Sequence, residues 1–159
     1  MRGDLSSSLL AEAFGVSAMA VRQHLRELVM DLFDELRESL GPDDFGAMLI
    51  KRGETQVELY RDRIERSLYI EEQVQAIAEI RDQEGNMAEA REGPDGSCLL
   101  IENHCPIWSA AKSCSKLCSV ELDVFRRSID EGVSIKRVEH ILEGSRRCVY
   151  QFFPKQAGA

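Results

Sequence analysis

The chain has 159 residues, of which 43% are hydrophobic and 30% charged, so it can bury a core and has the composition of an ordinary globular protein. It contains no apolar run near the ~18 residues that span a bilayer, and its first residues lack the layout of a secretory signal, so we expect neither a membrane nor a secreted protein. The net charge of −8 excludes DNA binding through overall charge; any DNA contact would need a local surface.

The first 28 residues contain two short helical patterns around a glycine. Gly15 supplies the turn, and Ser17 is a good N-cap for a second helix from about Ala18 to Leu28. This layout predicts a helix-turn-helix module, although an ordinary helical hairpin with a solvated face fits the spacing as well. The second helix would carry the residues that contact DNA. These are Ser17, Ala18, Met19, Arg22, Gln23 and Arg26.

Residues 29–84 read as a helical linker or dimerisation region. Apolar residues at helical spacing continue until Gly41-Pro42, which should end the first helix. A narrow apolar seam then runs through a long helical pattern from about Thr55 to Gln83. The seam suits either a dimer contact or packing under a sheet. Its members are Val57, Tyr60, Ile64, Leu68, Val74, Ile77 and Ile80.

The sequence pattern of residues 85–159 differs from that of the preceding helical region and predicts an α+β domain. A strong turn signal at residues 93–96 lies between two strand patterns, and a second strand pair surrounds residues 143–145. Residues 106–130 between the two hairpins read as helical. This order predicts a four-stranded antiparallel sheet with helices on one side.

Four of the five cysteines form the most chemically distinctive pattern in this domain. Their spacing is C-x8-C-x3-C-x29-C, and the middle pair is four residues apart, so a helix would place both sulfurs on one face. Cys105, Cys114, Cys118 and Cys148 would together suit tetrahedral Zn²⁺ or an iron–sulfur cluster. Buried structural thiols are an equally weighted alternative, and Cys98 reads as a core residue.

Other chemistry is not indicated. The sequence has no glycine-rich phosphate loop and none of the short motifs of serine hydrolases or zinc proteases, so we expect a protein that is not an enzyme. Clustered cysteines without an export signal favour a reducing compartment, which predicts a cytoplasmic location.

The segments LAEAFGVSAMAVRQHL, LLIENHCPI and CVYQF resemble the ArsR-like helix-turn-helix regulators that include the iron–sulfur-sensing repressors of Suf operons. The resemblance implies a cytoplasmic homodimeric repressor with an N-terminal winged helix-turn-helix (residues 1–28), operator DNA as partner and a C-terminal cluster domain. It also implies a 4Fe-4S cluster, with Zn²⁺ as alternative, on Cys105, Cys118 and Cys148. The fourth ligand stays open between Cys114, His104 and Glu102.

The sequence departs from this family in two places. Only eight residues precede the Leu9–Phe14 helix, which is too few for the additional helix of a winged module, and Leu28 runs straight into Val29 with no strand for a wing. Either DNA binding has been lost or stretches of chain are missing, and we favour missing stretches. Two other functions remain open: a zinc-stabilised structural or interaction domain, and a small-molecule sensor without a cluster.

Overall fold

The computed structural model describes residues 6–65 and 69–155. The chain divides into two compact units, Met1–Phe45 and Gly46–Ala159, so the region predicted as 29–84 is shared between them. The helices are α1 (Ser7–Phe14), α2 (Ala18–Arg61), α3 (Ile70–Gln83), α4 (Trp108–Ser113) and α5 (Lys116–Ser128). The strands are β1 (Ala88–Glu92), β2 (Cys98–Glu102), β3 (Val133–Glu139) and β4 (Cys148–Pro154). No helix within the described ranges has the length and apolar content needed to cross a membrane.

The first unit begins as the sequence predicts. Gly15 adopts a left-handed conformation (φ 63°) that closes α1, and the Ser17 hydroxyl accepts a hydrogen bond from the Ala20 amide at 3.1 Å, capping α2. The helix then passes through Leu28 and Val29 without interruption. Described residues 6–45 contain no strand, so the predicted wing is wrong. The reason is local, because neither glycine nor proline occurs between Gly15 and Gly41.

The break in α2 is at Gly41, as the Gly41-Pro42 pair predicts. Gly41 has φ 71° and ψ 169°, a conformation that only glycine adopts readily. The Phe33 and Phe45 rings lie edge to face with centroids 5.2 Å apart. Twelve residues of unbroken helix would separate them by about 18 Å. The chain therefore turns back at Gly41 and brings Phe45 against the preceding helix.

The second unit contains the predicted four-stranded antiparallel sheet, in the order β1-β2-β4-β3. Strands β2 and β4 pair in the centre and join the two hairpins, with Leu100 opposite Tyr150. Helices α3 and α5 pack against this sheet. The predicted seam lies inside the core, so packing under the sheet is correct and a dimer contact at this seam is wrong. Its described members are all buried: Val57, Tyr60, Ile64, Val74, Ile77 and Ile80. Leu68 lies outside the described residues.

The helical region predicted over residues 106–130 is divided into α4 and α5. Cys114 caps the end of α4 in an extended conformation (φ −146°, ψ 92°), and α5 begins at Lys116. Helix α5 packs closely on the second half of α2 at Gly53. A Cβ atom on Gly53 would lie 2.6 Å from the Val120 side chain, so a larger residue does not fit there without movement.

Candidate functional site

A buried charged cluster lies between the helices and the sheet of the second unit. Its centre is Arg81 on α3, whose side chain is 7% exposed. The Arg81 guanidinium donates to Glu102 Oε1 on β2 at 2.5 Å, to Glu84 Oε2 at 2.9 Å, and to Glu121 on α5. One cation therefore binds three carboxylates from three parts of the chain.

Two tyrosines complete the hydrogen bonding of these carboxylates. The Tyr150 hydroxyl donates to Glu121 Oε2 at 3.0 Å, and the Tyr60 hydroxyl donates to Glu84 Oε2 at 2.8 Å. The Arg137 guanidinium lies over the Tyr150 ring, 5.1 Å from its centroid, and donates to the Cys118 carbonyl. The cluster thus ties α3, α5, β2, β3 and β4 to one another.

The cluster contains more carboxylates than guanidinium groups, and its centre is shielded from water. The pKa of Glu102 is raised from 4.5 to about 7, mainly because the group is buried. Arg81 opposes this rise, and the Glu121 carboxylate adds to it. Burial also raises the pKa of the Tyr60 and Tyr150 hydroxyls. These groups therefore favour their protonated, uncharged forms.

Three of the four predicted cysteine ligands lie beside this cluster. Burial raises the pKa of Cys105 to about 12 and that of Cys118 to about 11, and in both cases the Glu121 carboxylate is the next cause. The pKa of Cys148 is also raised by burial, opposed by a backbone hydrogen bond from Ile141. The Cys118 and Cys148 thiols raise the pKa of Cys105, and Cys148 raises that of Cys118, so the three thiols lie in the same part of the fold.

The remaining predicted ligands have other surroundings. The i, i+4 spacing predicted that Cys114 and Cys118 share one helix face. Instead, Cys114 lies between α4 and α5, outside the helix that contains Cys118. Glu102 is engaged by Arg81, and His104 is exposed with its backbone amide bound to the Asn86 carbonyl. Cys98 is a buried core residue, as predicted.

The described residues form no group of three or more His, Cys, Asp or Glu side chains arranged to hold a metal ion. This finding corrects the classification as a metal-binding, iron–sulfur protein. The assignment of individual cysteines as ligands, and the cofactor itself, stay predictions. Iron, sulfide and zinc analysis of anaerobically purified protein tests them.

The first unit carries a different kind of surface. Six aliphatic side chains, each between 38% and 59% exposed, fall within an arc of about 120° on the first part of α2. We call this surface the aliphatic face; it consists of Leu25, Leu28, Val29, Leu32, Leu36 and Leu40. The periodicity of this stripe is visible in the sequence, but the sequence does not show that the stripe stays uncovered.

The predicted DNA-contacting residues make short-range contacts within this unit. Arg22 donates to the Ser7 hydroxyl at 3.3 Å, and Gln23 donates to Glu27 at 3.0 Å. Ser17 caps α2, while Met19 is 70% exposed and Ala18 and Arg26 lie nearby on the same helix. Together α1 and the start of α2 form a helical hairpin on which Arg22, Gln23 and Arg26 are exposed.

Comparisons with known proteins find no matching protein-family model and no matching curated protein. Among solved structures, the chain is similar to a trafficking protein particle complex subunit 3 from Naegleria fowleri covalently bound to palmitic acid. The identity is 13% and the TM-score 0.46, over 94% of this chain and 95% of that one.

These findings correct the family assignment. No family model matches the chain, and described residues 6–45 contain no strand that could form a wing. The predicted iron–sulfur-sensing transcriptional repressor, and its predicted partners, operator DNA and a second copy in a DNA-bound homodimer, are therefore wrong. The cytoplasmic location stays a prediction.

Proposed function

We propose that this protein is a non-catalytic assembly module that binds another protein through the aliphatic face of α2. The observation that supports the proposal is the uncovered stripe of six large aliphatic residues on residues 25–40. Scattered surface leucines are ordinary, but a continuous stripe along four helical turns usually marks a place where another surface binds.

The energetics of the first unit support the same reading. Its buried hydrophobic residues among those described are only Ala11, Val21 and Phe45. A domain of fewer than about 40–50 residues rarely stabilises itself without a further contact. Full burial of one Leu or Val contributes roughly 1.5–3 kcal/mol, so covering even part of the aliphatic face would stabilise the unit by several kcal/mol.

The charges beside the aliphatic face indicate the chemistry of the partner. Arg22 and Arg26 lie near the start of α2, whereas Asp31 and Glu35 follow further along the helix. An amphipathic helix that presents leucines to the stripe, with acidic residues at one end and basic residues at the other, would match this order. Such helix-on-helix binding uses apolar anchors at i, i+3, i+4 and i+7 spacing.

Site-specific photocrosslinking in cells tests this proposal. A benzoylphenylalanine residue at Leu32 or Leu36 is expected to give a discrete crosslinked species. The same residue at Glu27 or Glu38, on the opposite side of the helix, should give none. The mass of the crosslinked species separates a second copy of this 17.9 kDa chain from a different protein.

A second variant separates binding from folding. Leu28→Asp should abolish crosslinking from Leu32, while Glu27→Gln should leave it unchanged. Since Leu28 is 54% exposed, the circular dichroism spectrum of the Leu28→Asp protein should match that of the wild type. Equal crosslinking from both sides of the helix, or none from the aliphatic face, would contradict the proposal.

A further inference from the structure

A groove runs between α3 and β1 in the second unit. It consists of two cavities of about 530 and 330 Å³ that share Gln75, Glu79 and Ala90. Its inner wall is made of four small side chains, Ala76 and Ala78 from α3 with Ala88 and Ala90 from β1. These alanines leave space where larger residues would have closed the gap between helix and strand.

The groove follows an unpaired strand edge. In the sheet order β1-β2-β4-β3, β1 is an outer strand, and among the described residues it pairs only with β2. Its other edge therefore offers backbone N–H and C=O groups that an added strand can bind. Five residues of strand extend about 17 Å, which is the length of backbone that β1 presents.

The rim of the groove is strongly acidic. Six carboxylates line the two cavities: Glu71, Glu72, Glu79, Asp82, Glu89 and Glu92. Arg91 is the one cation among the described lining residues, and it already pairs with Glu89 at 2.9 Å. The electrostatic potential along the β1 edge is consequently negative, which favours a basic partner segment.

The acidic residues of the groove also affect the pKa of a buried thiol at one end of it. Cys98 is 4% exposed, and burial raises its pKa, with Glu71 and Glu92 raising it further.

We propose that this groove binds an extended basic peptide segment of a partner protein, which adds to β1 as a fifth strand. Backbone hydrogen bonds to the β1 edge would supply the pairing. Alternate side chains would enter the space above the alanines, and lysine or arginine residues would meet the carboxylates. This surface is distinct from the aliphatic face, so the proposal stands or falls independently of the proposed function.

A fluorescein-labelled ten-residue peptide of alternating lysine and valine is the probe, titrated into the full chain by fluorescence anisotropy. We expect saturable binding that weakens as salt is raised. Glu79→Gln/Glu92→Gln should weaken binding at least about 10-fold, because both carboxylates are exposed on the rim. The matched control, Glu58→Gln/Glu131→Gln, removes the same charge from exposed positions outside the lining of both cavities and should change binding less than about two-fold.

A second peptide separates strand addition from simple charge attraction. Methylating alternate backbone nitrogens on the side that would face β1 keeps every lysine but removes the hydrogen-bond donors. This peptide should bind at least about 10-fold more weakly if it adds as a strand. Equal binding of both peptides, equal binding of the rim and control variants, or no binding at all would overturn the proposal. Circular dichroism of each variant confirms that the fold is retained.

Discussion

Arg81 and Glu102 form an ion pair in the interior of the second unit, with Arg81 Nε donating to Glu102 Oε1 at 2.5 Å and both side chains at most 7% exposed. Such pairs gain little net stability, since removing two charges from water costs about as much as their attraction returns. Here the same guanidinium also binds Glu84 and Glu121. The pair therefore fixes how α3, β2 and α5 meet, and its protonation affects all three.

The protonation of Glu102 gives a specific pH dependence. Its folded pKa of about 7 lies above the ordinary 4.5, so the folded protein binds this proton more tightly than the unfolded chain does. The stabilisation is complete below pH 4.5 and is lost as the pH rises to about 7. Relative to Glu102→Gln, the wild-type free energy of unfolding should fall by up to about 3 kcal/mol over this window. Urea unfolding at several pH values measures it.

The control for this experiment is Glu131→Gln, which removes an exposed carboxylate. Its unfolding free energy should parallel that of the wild type at every pH. If Glu102→Gln also parallels the wild type, the carboxyl group does not titrate in this window and the prediction is wrong.

Removing the cation should be far more damaging than removing one carboxylate. Arg81→Met leaves Glu84, Glu102 and Glu121 without their shared partner, and we expect a loss of about 3–5 kcal/mol in the free energy of unfolding. Arg91→Met is the matched control, because its pair with Glu89 is 60% and 39% exposed and should contribute less than about 1 kcal/mol. Adding Glu102→Gln to Arg81→Met should recover part of the loss. Similar effects of the two arginine variants would argue against a structural role for the cluster.

The sequence predicted the sheet because its signals are local. The turn at residues 93–96 and the alternation in β4 specify hairpins, and two hairpins with a helical segment between them leave few arrangements other than the observed one. Gly41-Pro42 likewise marked the break in α2, since proline and a positive-φ glycine cannot continue a helix.

The sequence could not show which of the two apolar stripes, the aliphatic face or the seam, is buried in the fold. Val29 and Leu32 have the same helical spacing as Val57 and Tyr60, yet the first pair is exposed and the second lies in the core. Periodicity shows that a helix has an apolar face, but not what covers that face. The Arg81 cluster was missed because its carboxylates come from Glu84, Glu102 and Glu121, positions that only the folded chain brings together.

The Cys105 and Cys118 thiols should react slowly. With pKa values of about 12 for Cys105 and about 11 for Cys118, only about one thiol in 10³–10⁴ is ionised at pH 8. We expect iodoacetamide to modify both at least about 10-fold more slowly in the folded protein than in urea, measured by peptide mass spectrometry. Glu121→Gln should speed both reactions, because it removes a charge that raises both pKa values. Asp123→Asn, at an exposed position on the same helix, should not. Equal rates in folded and unfolded protein would contradict this account.

Two glycines on α2 should respond to alanine in opposite directions. A Cβ on Gly53 would meet the Val120 side chain at 2.6 Å, whereas at Gly46 it would meet only the tip of the flexible Lys116 side chain. Both glycines are helical, so alanine gains up to about 1 kcal/mol in helix propensity at either position. Gly46→Ala should therefore be neutral or stabilising. Gly53→Ala should cost about 1–3 kcal/mol, because the closely packed helices cannot take an extra methyl group without shifting.

A double variant tests whether the loss of stability in Gly53→Ala arises from the contact with Val120. Val120→Ala in the Gly53→Ala background removes the side chain that the new methyl group meets, so the double variant should be more stable than the sum of the two single changes predicts. Thermal and urea unfolding of the four proteins give the coupling free energy. Strict additivity, or a Gly53→Ala protein as stable as Gly46→Ala, would show that α2 and α5 are not in close contact there.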